Sequence, residues 1–158
     1  MSMLRIPPPV LALGAGALQA LLSRHRHSSP RSRVFAGLLL PVCLALDISS
    51  LRAFRHRQTT INPMALDSMN DLVTDSANTL TRNPMYLSLA VLLVAHALWR
   101  RSALALLPAA GVVLLLDRVQ IPAEEAALER AFGQRYRRYQ EQVPRWVSGR
   151  TIQRLLAR

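Results

Sequence analysis

The sequence predicts an all-α, polytopic membrane protein: about four transmembrane helices followed by a C-terminal amphipathic helix that lies in the interface. Three observations carry that prediction. Hydrophobic residues make up 51% of the 158, yet the formal net charge is +11, so apolar and charged side chains must be segregated along the chain. The apolar residues gather into four blocks separated by arginine clusters. The last third then changes to a helical period, aromatic on one side and arginine-rich on the other.

At this length the chain is one integral-membrane domain, residues 1–158. Residues 1–51 hold two spans, 52–82 a cytoplasmic loop, 83–118 a helical hairpin, and 119–158 an amphipathic helix and tail. The first apolar block, Ile6 to Ser23, carries no charge. A cleaved signal peptide would also place Arg5 before a short apolar run, but Pro7 to Pro9 suit one poorly, and the block is read as a span. The second, Val34 to Leu46, extends past Asp47 towards Leu51. The third is Asn83 to Trp99 and the fourth Ser102 to Leu116. A bilayer crossing takes about 20 apolar residues, and about 17 at the least, so the second and fourth need flanking residues. Four such blocks in one small chain favour the membrane over a buried core.

Only Arg100 and Arg101 join the third and fourth blocks, which forces a tight helical hairpin and puts the 52–82 loop and the C-terminal tail on one side. Together with Arg5 those regions hold fourteen arginines against six in the other connections. The positive-inside rule turns the larger group to the cytoplasm, placing a multi-pass protein in the cell inner membrane. The stretch "RHRHSSPRSR" runs against this rule, with four arginines facing outward. The 52–82 loop is long and rich in Asn, Asp, Ser and Thr. Met64, Leu66, Met69, Leu72 and Val73 are spaced through it, so it is expected to lie ordered against the membrane face.

In "IPAEEAALERAFGQRYRRYQEQVPRW", Ile121 to Trp146, Pro122 suits the first turn of a helix. At about 100° per residue, Leu128, Phe132, Tyr136, Tyr139 and Val143 share an arc of about 80°, with Arg130, Gln134, Arg137, Arg138 and Glu141 opposite. Such a helix lies at an interface. Glu125 projects into the apolar arc and Glu124 onto its edge. Carboxylates in a first turn complement the helix dipole by about 0.3–1 kcal/mol. That does not account for a carboxylate on the buried face, which needs an arginine, a bound cation or a hydroxyl-bearing ligand. Both readings stand at this point.

A second cluster, "TRNPMY" from Thr81 to Tyr86, reads as Asn83 capping a span that begins at Pro84, with Arg82 at the interface. It also reads as half of a site, because Arg82 and Tyr86 fall at the membrane level of the glutamate pair. His96, inside the third block, is either a functional group or a hydrogen-bonded neighbour.

Other classes fit poorly. The lone Cys43 excludes an internal disulfide and a cysteine-based zinc site. His25 and His27 lack an obvious third ligand, so no metal is expected. Nucleic acid is suggested by charge alone, without a recognised motif. The only glycine-rich candidate for a soluble nucleotide cradle, Gly14 to Gly16, sits in an apolar block with no strand before it.

Taken in order, "TTINP…LVT…TRNPMYL" and, after a hairpin, "PAEEAALERAFGQRYRRYQEQVPRWV" resemble the integral-membrane methyltransferases of the isoprenylcysteine carboxyl methyltransferase type. Phospholipid methyltransferases share the C-terminal pattern. The resemblance covers Thr59 to Val147. It implies S-adenosylmethionine as methyl donor, bound at the cytoplasmic ends of the last helices, and a lipophilic or lipidated acceptor entering from the bilayer. Arg82, Pro84 and Tyr86 match the family's Arg-x-Pro-x-Tyr element, and Glu124 and Glu125 its glutamate pair. Cofactor binding is therefore implied for these five, with Asn83, His96 and Tyr136 as candidate additions. Arg82 is expected to pair with the cofactor's carboxylate, and the glutamates with its hydroxyl or amino groups. No base is named, and the acceptor atom is left as carboxylate, thiol or amine. The chain departs from the pattern at Asp75 to Leu80, where glycine, an aromatic and a basic residue are usual, and at Leu66, where proline is common. It also lacks the Gly-x-Gly element of some phospholipid methyltransferases. The competing expectation is a non-catalytic adaptor or lipid binder that keeps the scaffold.

Overall fold

The computed structural model describes residues 7–57, 71–149, 151 and 153. Among them every regular element is helical: α1 (Pro8–Leu22), α2 (Pro30–His56), α3 (Pro84–Trp99), α4 (Leu106–Leu115), α5 (Ile121–Phe132) and α6 (Gln134–Gln142). Single turns of 3₁₀ helix lie at Ser76–Thr79 and Ala103–Ala105, and a π-helical turn at Leu116–Gln120. Prolines open α1 and α3, where a missing N–H costs nothing. Pro41 lies inside α2 and removes one backbone bond there.

Two helices, rather than the four expected, are long and apolar enough to cross a membrane: Pro30–His56 and the continuous run Ala103–Phe132. The blocks at Ile6 and Asn83 form α1 and α3, of only 15 and 16 residues. At 1.5 Å per residue these reach about 22–24 Å against a hydrocarbon core of about 30 Å. Pro122 lies in the first turn of α5, as expected, but α5 does not stand apart: the π turn at Leu116–Gln120 joins it to α4, and the helical run Ala103–Phe132 is continuous. One boundary differs from expectation. The amphipathic segment is two helices and not one, broken at Gly133 with φ +51° and ψ −127°, a conformation open to glycine alone.

The chain divides into two compact units. The first comprises Met1–Ala45 and Ser88–Ile121. Its core is built from small residues, among them Ala15, Ala36, Ala95, Ala97, Ala105 and Ala109. Small side chains allow close backbone approach, and α1 packs directly on α4 and on the Ala103–Ala105 turn. A buried amide locks this packing. Gln19 Nε2 donates to Leu93 O at 2.9 Å and Ala105 O at 2.7 Å, while its Oε1 meets His96 Nδ1 at 2.8 Å. With both amide protons spent, His96 must donate through Nδ1. Arg100 closes the end of α1, giving hydrogen bonds to Ser23 Oγ and to the carbonyls of Ala20 and Ser23. A guanidinium at a helix C-terminus also complements its dipole. The expected tight turn is there: Arg101 takes φ +50° while its N–H bonds Leu98 O. Outward from this unit point Leu13, Leu21, Val34, Phe35, Leu38 and Leu107, each at least 60% exposed.

The second unit comprises Leu46–Leu87 and Pro122–Arg158. Its core joins Leu72 to Tyr136, Tyr139 and Val143, with Leu128 and Phe132 packed against them. The five residues of the apolar arc thus share one core despite the break at Gly133, and the five opposite, Arg130, Gln134, Arg137, Arg138 and Glu141, are exposed. Of the loop residues expected to lie against the membrane face, Leu72 and Val73 are buried within the protein, Leu72 in this core, whereas Met64, Leu66 and Met69 lie outside the described residues.

Candidate functional site

Within the second unit, Thr81–Tyr86 meets the start of α5 and the segment after α6. Arg82 is nearly buried, its side chain 11% exposed, and donates from Nη2 to Glu125 Oε1 at 2.7 Å and from Nη1 to Gln140 O at 3.1 Å. Arg145 holds the same carboxylate from another direction, Nη2 to Oε2 at 2.5 Å and Nε to Oε1 at 3.3 Å. Two guanidiniums therefore flank one carboxylate that is 13% exposed. This is the counter-charge that a glutamate in an apolar arc requires. Beside it, Tyr86 Oη donates to Glu124 Oε1 at 2.5 Å. Two cations and two anions make the group neutral as a whole.

Backbone bonds seat the cluster. Arg82 N–H donates to Pro144 O, Thr81 Oγ1 and Asn83 Nδ2 donate to Arg145 O, and Thr151 Oγ1 donates to Leu80 O. Asn83 gives its carbonyl to Leu87 N–H, as a cap residue does, but spends its side-chain amide on Arg145. Pro84 is buried as the first residue of α3. Tyr136 is 2% exposed in the adjoining core, its ring 6.1 Å from that of Tyr139. Burial, and then the charge of Glu125, push the Tyr136 phenol well above its ordinary range. Tyr139 is raised chiefly by burial and donates to Asn78 O. The 71–79 stretch is tied down by Arg57, which bonds Asp71 and Asp75, and by Arg135 on Asp71. The Arg57 hydrogen bond holds Asp71 below the usual carboxylate range.

The structure thus brings Arg82, Asn83, Tyr86, Glu124 and Glu125 into one cluster. His96 is placed in the first unit, on Gln19. Arg145 is the member that sequence reasoning leaves out. Its only signal is the Pro144 before it, which stops α6 and turns the chain back.

The donor set suits a ligand that offers a carboxylate together with hydroxyl or amino groups. Arginine binds carboxylates well, and Arg82 Nε is buried with no hydrogen-bond partner. The two glutamates supply acceptors and negative potential for a cationic group.

The described residues thus form a helical protein with two helices apolar enough to cross a membrane, and comparison with known families gives its class, a methyltransferase-like membrane protein. The chain belongs to the phospholipid methyltransferase family, whose profile matches residues 32–135. It is also similar to an uncharacterized protein of Haemophilus influenzae, 44% identical over 63 residues, which is 40% of this chain and the whole of that protein. No solved structure matches it.

Proposed function

We propose that this protein is an S-adenosylmethionine-dependent integral-membrane methyltransferase acting on a lipophilic acceptor. The observation that carries the reading is the meeting of Arg82 and Tyr86 with Glu125 and Glu124, 43 and 38 residues away in sequence. These are the residues that match the two family elements, and members of the family generally use this cofactor. Arg82 would hold the cofactor's carboxylate, and Glu124 and Glu125 its hydroxyl or amino groups. When bound, the cofactor supplies an electrophilic methyl on a sulfonium. The chain's own task is to bind, align and exclude water, and positioning of that kind lowers a barrier by several kcal/mol (about 7–11 at best). The negative potential of the glutamates favours a cationic ligand. No strong base is needed for a thiolate, carboxylate or neutral amine acceptor.

The membrane setting follows from the exposed leucines, valines and phenylalanine of α1, α2 and α4. A soluble protein rarely exposes so much apolar surface. We read α1 and α3 as crossing with α2 and the long α4–α5 run, the bilayer thinning or the flanking arginines snorkelling to meet the two short helices. The cofactor side then faces the cytoplasm.

One observation favours the second reading, a non-catalytic adaptor: both oxygens of Glu125 are already held by arginines. Calorimetric titration with S-adenosylmethionine separates the two, with wild type in detergent beside the Glu124→Gln, Glu125→Gln double variant. The enzyme reading expects saturable binding that the folded double variant loses by at least tenfold. A folded wild type that binds nothing rules for the adaptor.

A further inference from the structure

The family match stops at residue 135, yet the cluster around Arg82 does not. Its second guanidinium comes from Arg145, and the carbonyls of Pro144 and Arg145 accept three of the hydrogen bonds that seat it. Without Arg145, Glu125 would keep a single partner and one unsatisfied oxygen in a place that is 13% exposed. A carboxylate so placed recruits the nearest donor, and here that donor is Arg82. Arg82 would then be drawn further onto Glu125 and away from any incoming anion. With Arg145 present the load is shared, Arg145 covering Oε2 and Arg82 touching only Oε1.

We propose that Arg145 is a positioning residue of this site: by holding Glu125 from the far side it fixes how the Arg82 guanidinium is presented to an anionic group of the ligand. The segment from Pro144 to Thr151 serves as its mount. It is pinned along Leu80–Asn83 by four hydrogen bonds, so the arginine and the residue it governs move together. The identity of the ligand rests on the methyl-donor reading above, whereas the coupling of Arg145 to Arg82 does not.

The test has two arms. In the first, the ligand-free protein is labelled with ¹⁵N-arginine and hydrogen exchange is followed at the Nε–H of Arg82, assigned by its loss in Arg82→Lys. The buried Nε predicts slow exchange. Exchange is expected to quicken at least tenfold in Arg145→Gln, while Arg137→Gln, which breaks an exposed pair with Glu129, changes nothing. In the second arm, titration with S-adenosylmethionine compares Glu125→Gln, Arg145→Gln and the double variant. Each single change is expected to weaken binding at least tenfold, and the double no more than Glu125→Gln alone, because Arg145 acts through that carboxylate. Arg145→Lys guards against misfolding: it keeps the charge but not the fork, and should fall between wild type and Arg145→Gln in both arms. Unchanged Arg82 exchange in folded Arg145→Gln overturns the proposal, as do additive losses in the double variant. A wild type that binds no cofactor sinks the methyl-donor reading, and the exchange arm then decides on Arg145 by itself.

Discussion

At Tyr136 and Tyr139 two phenols share one core, and burial raises the pKa of each. A group whose folded pKa is raised contributes stability that is complete below its unfolded value and is lost as pH climbs towards the folded one. The unfolded phenol titrates near pH 10. The melting temperature is therefore expected to hold through neutral pH and to fall steeply above about pH 10, with Tyr139→Phe blunting the slope. An alkaline fall of the same steepness in Tyr136→Phe, Tyr139→Phe would place the cause elsewhere. On the other side of this core Glu125 is readable from sequence, because a carboxylate inside an apolar arc demands a counter-charge and an arginine precedes Pro84. Arg145 is not readable in that way. It lies past the end of α6, where periodicity no longer says which of the tail arginines turns inward.

The helices show where periodic reasoning works and where it stops. The arc through Leu128, Phe132, Tyr136, Tyr139 and Val143 is right in membership although α5 and α6 are separate, since a sharp turn at Gly133 can keep both apolar faces on one core. A helical wheel carries no term for that turn, nor for the π turn at Leu116–Gln120 that joins α4 to α5. Glycine at 133 can be told apart from glycine elsewhere by substitution. A Cβ would strike nothing at either Gly133 or Gly14, so any difference is conformational. Gly133→Ala should destabilise by about 1–3 kcal/mol through its positive φ. Gly14→Ala, inside α1, should stabilise by about 0.5–1 kcal/mol through helix propensity. Chemical denaturation of the two variants in one detergent checks the pair, and equal effects of one sign would refute the argument.

Across the whole molecule, the family and the helical class are legible in the sequence, and the number of full-length spans is not. Apolar composition marks all four blocks, but length in a helix is set by where the chain turns, and the turns at Ser23 and Arg101 cut α1 and α3 short. The four crossings proposed above would give the chain a definite sidedness, which labelling can test. In a Cys43→Ala background, Ser28→Cys should react with an impermeant maleimide added outside intact cells. Gly149→Cys should react only after the membrane is opened. Labelling of both from the same side would leave an even number of crossings between them, where four spans put three, and dismiss the four-span arrangement.

Gln19 has a consequence for how the chain is made. Its side-chain acceptors, Leu93 O and Ala105 O, lie 74 and 86 residues downstream. At a synthesis rate of about 5–20 residues per second they arrive roughly 4–17 s after Gln19 itself. Throughout that interval α1 carries a bare primary amide that hydrocarbon cannot satisfy. The first helix is thus a poor candidate for early release into lipid. It has reason to wait beside the insertion machinery, or at the headgroups, until the hairpin that completes it emerges, so the order of synthesis and the order of membrane entry need not be the same.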